Sequence, residues 1–218
     1  MEPTKPIIRV QGHGRVSTPP DVVVLSLVIT SEDPDYGKAI AGMNVCGDAL
    51  RRSIAEAGED TKALKTTSFT VAIKNDYVKD RYVFRGFCGE HRLELRLPFD
   101  HVRFARVFRA ISESEGKPQV SITFSVSDPE TIRERVLEDA VKNAHRRATV
   151  IAAASRQTLG AIVAIDYGYT EIRVSSDPYS LESPAVCDGA PEIEPSEIES
   201  ADTVQIAWEI NHAPTNEG

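Results

Sequence analysis

The sequence is short of cysteine, of long apolar runs and of unbalanced positive charge, and each shortage closes off a class of protein. The three cysteines, Cys46, Cys88 and Cys187, are odd in number and scattered. They build neither a disulfide framework nor a zinc site. No apolar run approaches the ~18–20 residues that cross a bilayer as a helix. The longest, residues 22–29, has the length of a strand. Histidines 13, 91, 101, 145 and 212 form no H-x-x-x-H or H-E-x-x-H pair, so a helical zinc pair is absent. There is no G-x-S-x-G nucleophile turn. Cys88 and His91 are close in sequence, but on a strand an offset of three sends them to opposite faces. A net charge of −8 argues against a nucleic-acid partner. The sequence therefore assigns no catalytic residue, no cofactor and no metal.

One stretch looks like a phosphate cradle. Residues 8–21, IRVQGHGRVSTPPD, hold a Gly-x-Gly after an apolar start. A dinucleotide fingerprint needs a third glycine and a helix start that meets the pyrophosphate. Here Ser17 takes the third position, and Pro19-Pro20 intervene before an apolar strand. The simpler reading is two strands whose junction uses glycine for a bend or a close backbone approach.

What remains is ordinary globular material, 41% hydrophobic and 27% charged. Residues 22–30, VVVLSLVIT, read as a central strand. Asp33-Pro34 then reads as a helix start, with apolar residues stepping by three and four to Ala57 and Gly58 as the stop. Phe69, Val71 and Ile73 alternate with polar residues, as do Leu93, Leu95 and Leu97. Residues 101–112 read as a short helix, and Val120, Ile122, Phe124 and Val126 as a strand. Asp128-Pro129 opens a second helix, expected to run to Leu159 with Gly160 as its stop. Its inner stripe is Ile132, Val136, Ala140, Ala144, Ala148, Ala152 and Ser155. Residues 161–165 and the set Val204, Ile206, Trp208 and Ile210 read as closing strands. The fold class is α+β: a mostly antiparallel sheet with a long alanine-rich helix and a second helix packed on one face.

The pieces together resemble the SIMPL-domain family, a bacterial and archaeal group with periplasmic antigens among its members. The resemblance is carried by IRVQGHGRVSTPPDVVVLSLVIT, by Asn44 in the first helix, and by GFCGEHRLELRLPFD. SITFSVSD, the alanine series ending at Leu159-Gly160, and PEIEPSEIESADTVQIAWEI complete it. Ser196 departs from it, standing where the family usually has glycine. The resemblance implies a SIMPL fold, a tendency to self-assemble, and a setting in stress or envelope physiology. It implies no established activity, because the family offers no agreed catalytic residues. The chain, residues 1–218, is expected to be one such domain, with an acidic, proline-rich, flexible insertion at about 175–200 before the last strand. Nine acids stand against one base, Arg173, between Glu171 and Asp202, while the rest of the chain is balanced. Pro178, Pro184, Pro191 and Pro195 fall in that insertion, and nothing in it favours an ordered element.

The strongest candidate contact is the hairpin tip KNDYVKDRYVFRG. There Tyr77, Tyr82 and Phe84 alternate with Lys74, Lys79, Arg81 and Arg85. Such interleaving suits an anchor for a protein partner or stacking on bases. In the plainer alternative the aromatics pair across the strands and the bases are solvated. The candidate partner-contact set is Tyr77, Lys79, Arg81, Tyr82 and Phe84. Asp166-Tyr167 at a strand end suits either a ligand or a turn. Two functional readings follow. One is a non-catalytic, self-assembling binding or scaffold protein, a homo-oligomer with an unidentified protein partner. The other is an enzyme or small-ligand binder whose pocket is built from distant strand ends. The N-terminus, MEPTKP, lacks a signal-peptide pattern. That leads to an expected cytoplasmic location, or a periplasmic or envelope one if a leader has been removed.

Overall fold

The Gly-x-Gly lies in the middle of a strand, β1 (Ile7–Thr18), and not at a junction. A computed structural model describes residues 6–78, 80–168, 172–181 and 193–212. Contacts divide the chain into two units. The first comprises Met1–Pro19, Asp128–Val174 and Glu197–Gly218, and the second Pro20–Ser127 and Ser175–Ser196. The strands close into two antiparallel sheets, so the long helix has a sheet to itself.

In the first unit, β1 pairs along its whole length with the final strand, Ile198–His212. The strand Gln157–Asp166 pairs on the other side of that final strand. The long helix, Pro129–Ala154, buries Ile132, Val136, Ala140, Ala144, Ala148 and Ala152, as its stripe predicts. Ala140, Ala144 and Ala148 pack with Val10, Val204, Ile206 and Trp208 of the sheet. Here the glycines have their reason. A Cβ on Gly12 would overlap the Ala140 carbonyl oxygen, and one on Gly14 the Val136 carbonyl oxygen. The helix and strand backbones approach as closely as small residues allow.

The same helix reaches the outer edge of β1 at residues 11–15. The Asn143 side chain accepts from the His13 N–H (3.2 Å), and Asp139 from the Arg15 N–H (3.0 Å). Arg147 donates to the Gln11 carbonyl (3.1 Å). Three edge groups that another strand could pair with are thereby satisfied within the unit. The helix starts as expected, with the Asp128 carboxylate accepting from the Thr131 N–H and Pro129 opening the first turn. It ends at Ala154 instead of Leu159. Ser155 caps it, Arg156 takes φ +55°, and residues 157–159 turn out to pair with residues 210–212 of the final strand. Strand pairing overrides local helix preference there.

Among the described residues, the second unit has five strands. In chain order these are Val22–Asp33, Leu64–Val78, Arg81–Pro98, Gln119–Ser125 and Tyr179–Leu181. Numbered along the whole chain, they are β2, β3, β4, β5 and β7; Gln157–Asp166 is β6 and Ile198–His212 is β8. Their order across the sheet is β3-β4-β2-β5-β7, so β2 is central as its apolar run requires. Two helices, α1 (Tyr36–Glu56) and α2 (His101–Ser112), precede the long helix, α3. Val23, Leu25, Leu27 and Ile29 of β2 form one core with Leu93, Leu95 and Leu97 of β4, with Ile122 and Phe124 of β5, and with Leu50, Ile54, Phe104, Val107 and Ile111 of the helices. Each such side chain contributes ~1.5–3 kcal/mol on burial.

Local signals account for the helix ends. α2 has the expected bounds, with the Asp100 carboxylate accepting from the Arg103 N–H (2.8 Å). α1 is capped by Asp35, whose carboxylate accepts from the Lys38 N–H (3.0 Å). The expected cap, Asp33, instead accepts from the Asp35 N–H. Gly58, at φ +82°, follows the cap as expected. The acidic segment is not without order. β7 pairs with β5, and Ile193 packs against the core of the second unit. Its middle, residues 182–192, lies outside the described residues.

Candidate functional site

β3 and β4 form a long hairpin that reaches past α1. Tyr77 and Tyr82 are directly opposite each other near the tip, ring centroids 5.2 Å apart and edge to face. The ladder shifts between Lys74 and Asn75, where Gly86 and Phe84 are the successive partners on β4. This irregularity returns Phe84 to the face of Phe87, and the two rings meet at 5.5 Å. Phe87 in turn meets Tyr36 of α1 at 5.3 Å. The aromatics thus lie on the face that, nearer the base, carries the buried His91 and Leu93. Beyond α1 nothing described covers it: Ile73, Tyr77, Tyr82 and Phe84 are 63%, 64%, 77% and 53% exposed.

The bases go elsewhere. The Lys74 ammonium pairs with Glu32 at 2.6 Å, and Arg85 pairs with Asp76. Both pairs line a hollow of about 320 Å³ with Asp33, Gly86 and Phe87. Arg81 is exposed at the start of β4. Lys79, the remaining member of the expected contact set, lies outside the described residues. Aromatic and basic side chains that alternate in the sequence are therefore sorted to different sides of the hairpin. The exposed row is apolar, and Lys74 and Arg85 are matched by carboxylates. Stacking on nucleobases requires rings and free cations along one groove.

A second arrangement occurs at the end of β6. A hollow of about 630 Å³ is lined by Gln11, Ile165, Asp166, Tyr167, Gly168, Thr203 and Gln205, from three strands of the first unit. The Tyr167 hydroxyl donates to Asp202 at 2.8 Å. Asp202 is 4% exposed, and its other carboxylate oxygen accepts from the Thr203 N–H. Asp166, which precedes Tyr167, lines the hollow but is not that tyrosine's partner.

A family model described as SIMPL, protein of unknown function (DUF541), matches residues 8–208. The chain belongs to the SIMPL family. No curated protein matches it. Among the described residues of this SIMPL chain, no group of three or more His, Cys, Asp or Glu side chains is placed to hold a metal ion. No helix among them is long and apolar enough to cross a membrane.

Two buried ionisable groups of the SIMPL core escape sequence reading. His91 is 8% exposed; its Nε2 lies 2.9 Å from the Thr66 hydroxyl, while its Nδ1 has no hydrogen-bond partner. Gly47 of α1 leaves room beside that nitrogen. Burial lowers the His91 pKa, and the nearby Arg51 charge lowers it further. Glu59, just past α1, accepts a two-pronged pair from Arg103 (2.8 and 2.6 Å) and a longer bond from Arg106. The Arg103 hydrogen bonds hold the Glu59 carboxyl below the usual range against the opposing effect of burial. His91 sits in the cleanest alternating stretch, on its buried side, and that period was the available signal. Glu59 follows the helix-stopping glycine, and nothing local marks it. His13 is exposed in mid-strand, opposite Thr203.

Proposed function

We propose that this SIMPL chain acts by association, as a self-assembling, non-catalytic binding or scaffold protein. The observation that carries the reading is the exposed row Ile73, Tyr77, Tyr82 and Phe84 on one face of the hairpin. Exposed apolar rows of this kind mark contact surfaces, and tyrosines are favoured anchors within them. Family resemblance supports self-assembly and a setting in stress or envelope physiology. The test is the mass of the purified chain in solution at tens of micromolar, by light scattering. An assembly is expected, and replacing Tyr82 and Phe84 together by serine should weaken partner capture without unfolding the chain. A clean monomer that captures nothing overturns the reading.

The Tyr167–Asp202 pair beside the polar hollow favours a second reading, a small polar ligand held at the strand ends. Native mass spectrometry of the purified chain distinguishes the two. A small molecule that co-purifies and is lost in Tyr167→Phe favours the ligand site.

A further inference from the structure

Among the described residues, the open sheet edges are not equivalent. The middle of the outer edge of β1, residues 11–15, is guarded by side chains of α3. β6 is irregular in its pairing twice, between Leu159 and Ile162 and again between Ile162 and Ala164. β7 has three residues. β3 has fifteen, and it is the terminal strand of its sheet. Its register shifts, at Thr66/Ser68 and Lys74/Asn75, leave residues 68–74 as a regular stretch. The sequence of that stretch, SFTVAIK, has no charge before its last residue and no proline. Edges are ordinarily blunted by charge, proline or bulges; this stretch has its irregularities only at its two ends.

We propose that a second copy of the chain pairs with β3 along this stretch, antiparallel, about a two-fold axis at Val71. The proposal rests on the self-association reading above and names the surface that performs it. A two-fold relating two antiparallel edge strands stands perpendicular to the sheet and passes where a residue faces its own copy. Val71 is the middle of residues 68–74, so this register uses the whole regular stretch. It sets Phe69 against Ile73 of the other copy, twice, and Val71 against itself. These three share the face that carries His91, Gly89 and Phe87 on β4, so the apolar side continues across the junction. Phe69 and Ile73 are 43% and 63% exposed in one copy, and the pairing covers both. On the other face Thr70 meets Ala72 and Ser68 meets Lys74, so no like charges oppose. Another extended backbone is what a row of free N–H and C=O groups accepts. This sequence supplies one that matches itself in polarity, size and charge.

The test combines sedimentation velocity with cross-linking on the full chain. Val71→Lys puts two ammonium groups together at the axis and should halve the mass of the parent assembly. Val71→Thr, neutral and β-branched, should leave the mass unchanged. Opposed residues in an antiparallel pair have Cα atoms ~4.5–5.5 Å apart, within disulfide reach. Val71→Cys should therefore oxidise to a covalent dimer. Its peptide map should contain a disulfide joining the two introduced cysteines, distinguishable from links through the native ones. This arm stands even if the lysine variant folds poorly. A parent that assembles while Val71→Lys keeps its full mass and Val71→Cys forms no such link overturns the β3 edge and leaves self-association standing. A monomeric parent overturns both.

Discussion

The two units join helix to sheet with opposite materials. In the first, alanines of α3 lie on the glycines of β1, and backbone nearly touches backbone. In the second, leucine, isoleucine and phenylalanine side chains stand between α1, α2 and the β2–β4–β5 surface. The first contact gains from many close dispersion contacts and tolerates no added atom. The second gains from apolar area removed from water and suffers from atoms removed. Adding bulk should therefore damage the first unit, and deleting bulk the second.

The largest effect is expected from Gly12→Val. Its Cβ meets a helix carbonyl, not a flexible side chain, so α3 must leave the sheet. Hydrogen exchange should show loss of protection in the first unit; unchanged protection there would break the comparison. Leu27→Ala, in the fully buried centre of the second core, should cost ~2–5 kcal/mol in a denaturant titration. Ala148→Leu adds bulk under α3 and should cost ~1–3 kcal/mol. The pH response should also separate the units. His91 has a folded pKa below its ordinary 6.5, so the unfolded chain takes up its proton first. Stability is then complete above that ordinary value and falls as pH drops through it toward the folded value. Protection of the second unit should weaken as pH falls through about 6.5, and His91→Phe should flatten that dependence. Smallest of all, Arg146→Ala on the exposed side of α3 should change stability by less than ~0.5 kcal/mol.

The contrast in materials was visible in the sequence, because an alanine every fourth residue and an alternating leucine strand both announce their periods. The bounds of α2, the buried Trp208 and the alanine stripe followed from local pattern and caps. What was hidden depends on pairing between distant segments. Residues 157–159 carry helix-compatible side chains, yet they become strand because residues 210–212 are beside them. The division into two sheets is of the same kind, since period-two patterns do not name their partners. At the hairpin, alternation alone sends rings and cations to opposite faces. The irregularity near Gly86, which no spacing rule anticipates, brings Phe84 back to the side of Phe87. Ion pairs such as Lys74 with Glu32 join residues on different strands and were equally out of reach.

The three polar side chains that α3 sends to β1 have a geometric consequence. Asp139, Asn143 and Arg147 are spaced by four, and their strand partners Arg15, His13 and Gln11 by two. Four helical residues advance ~6.0 Å, and two antiparallel strand residues ~6.8 Å. The two rulers agree to within an ångström per step, so a helix can stand in for a missing strand and offer one side chain per rung. The error accumulates to roughly 1.6 Å by the third rung, about what flexible side chains absorb. A fourth or fifth rung would fall out of phase. A helical surrogate can therefore guard only a short length of strand; in β1 its three rungs span residues 11–15 of 7–18.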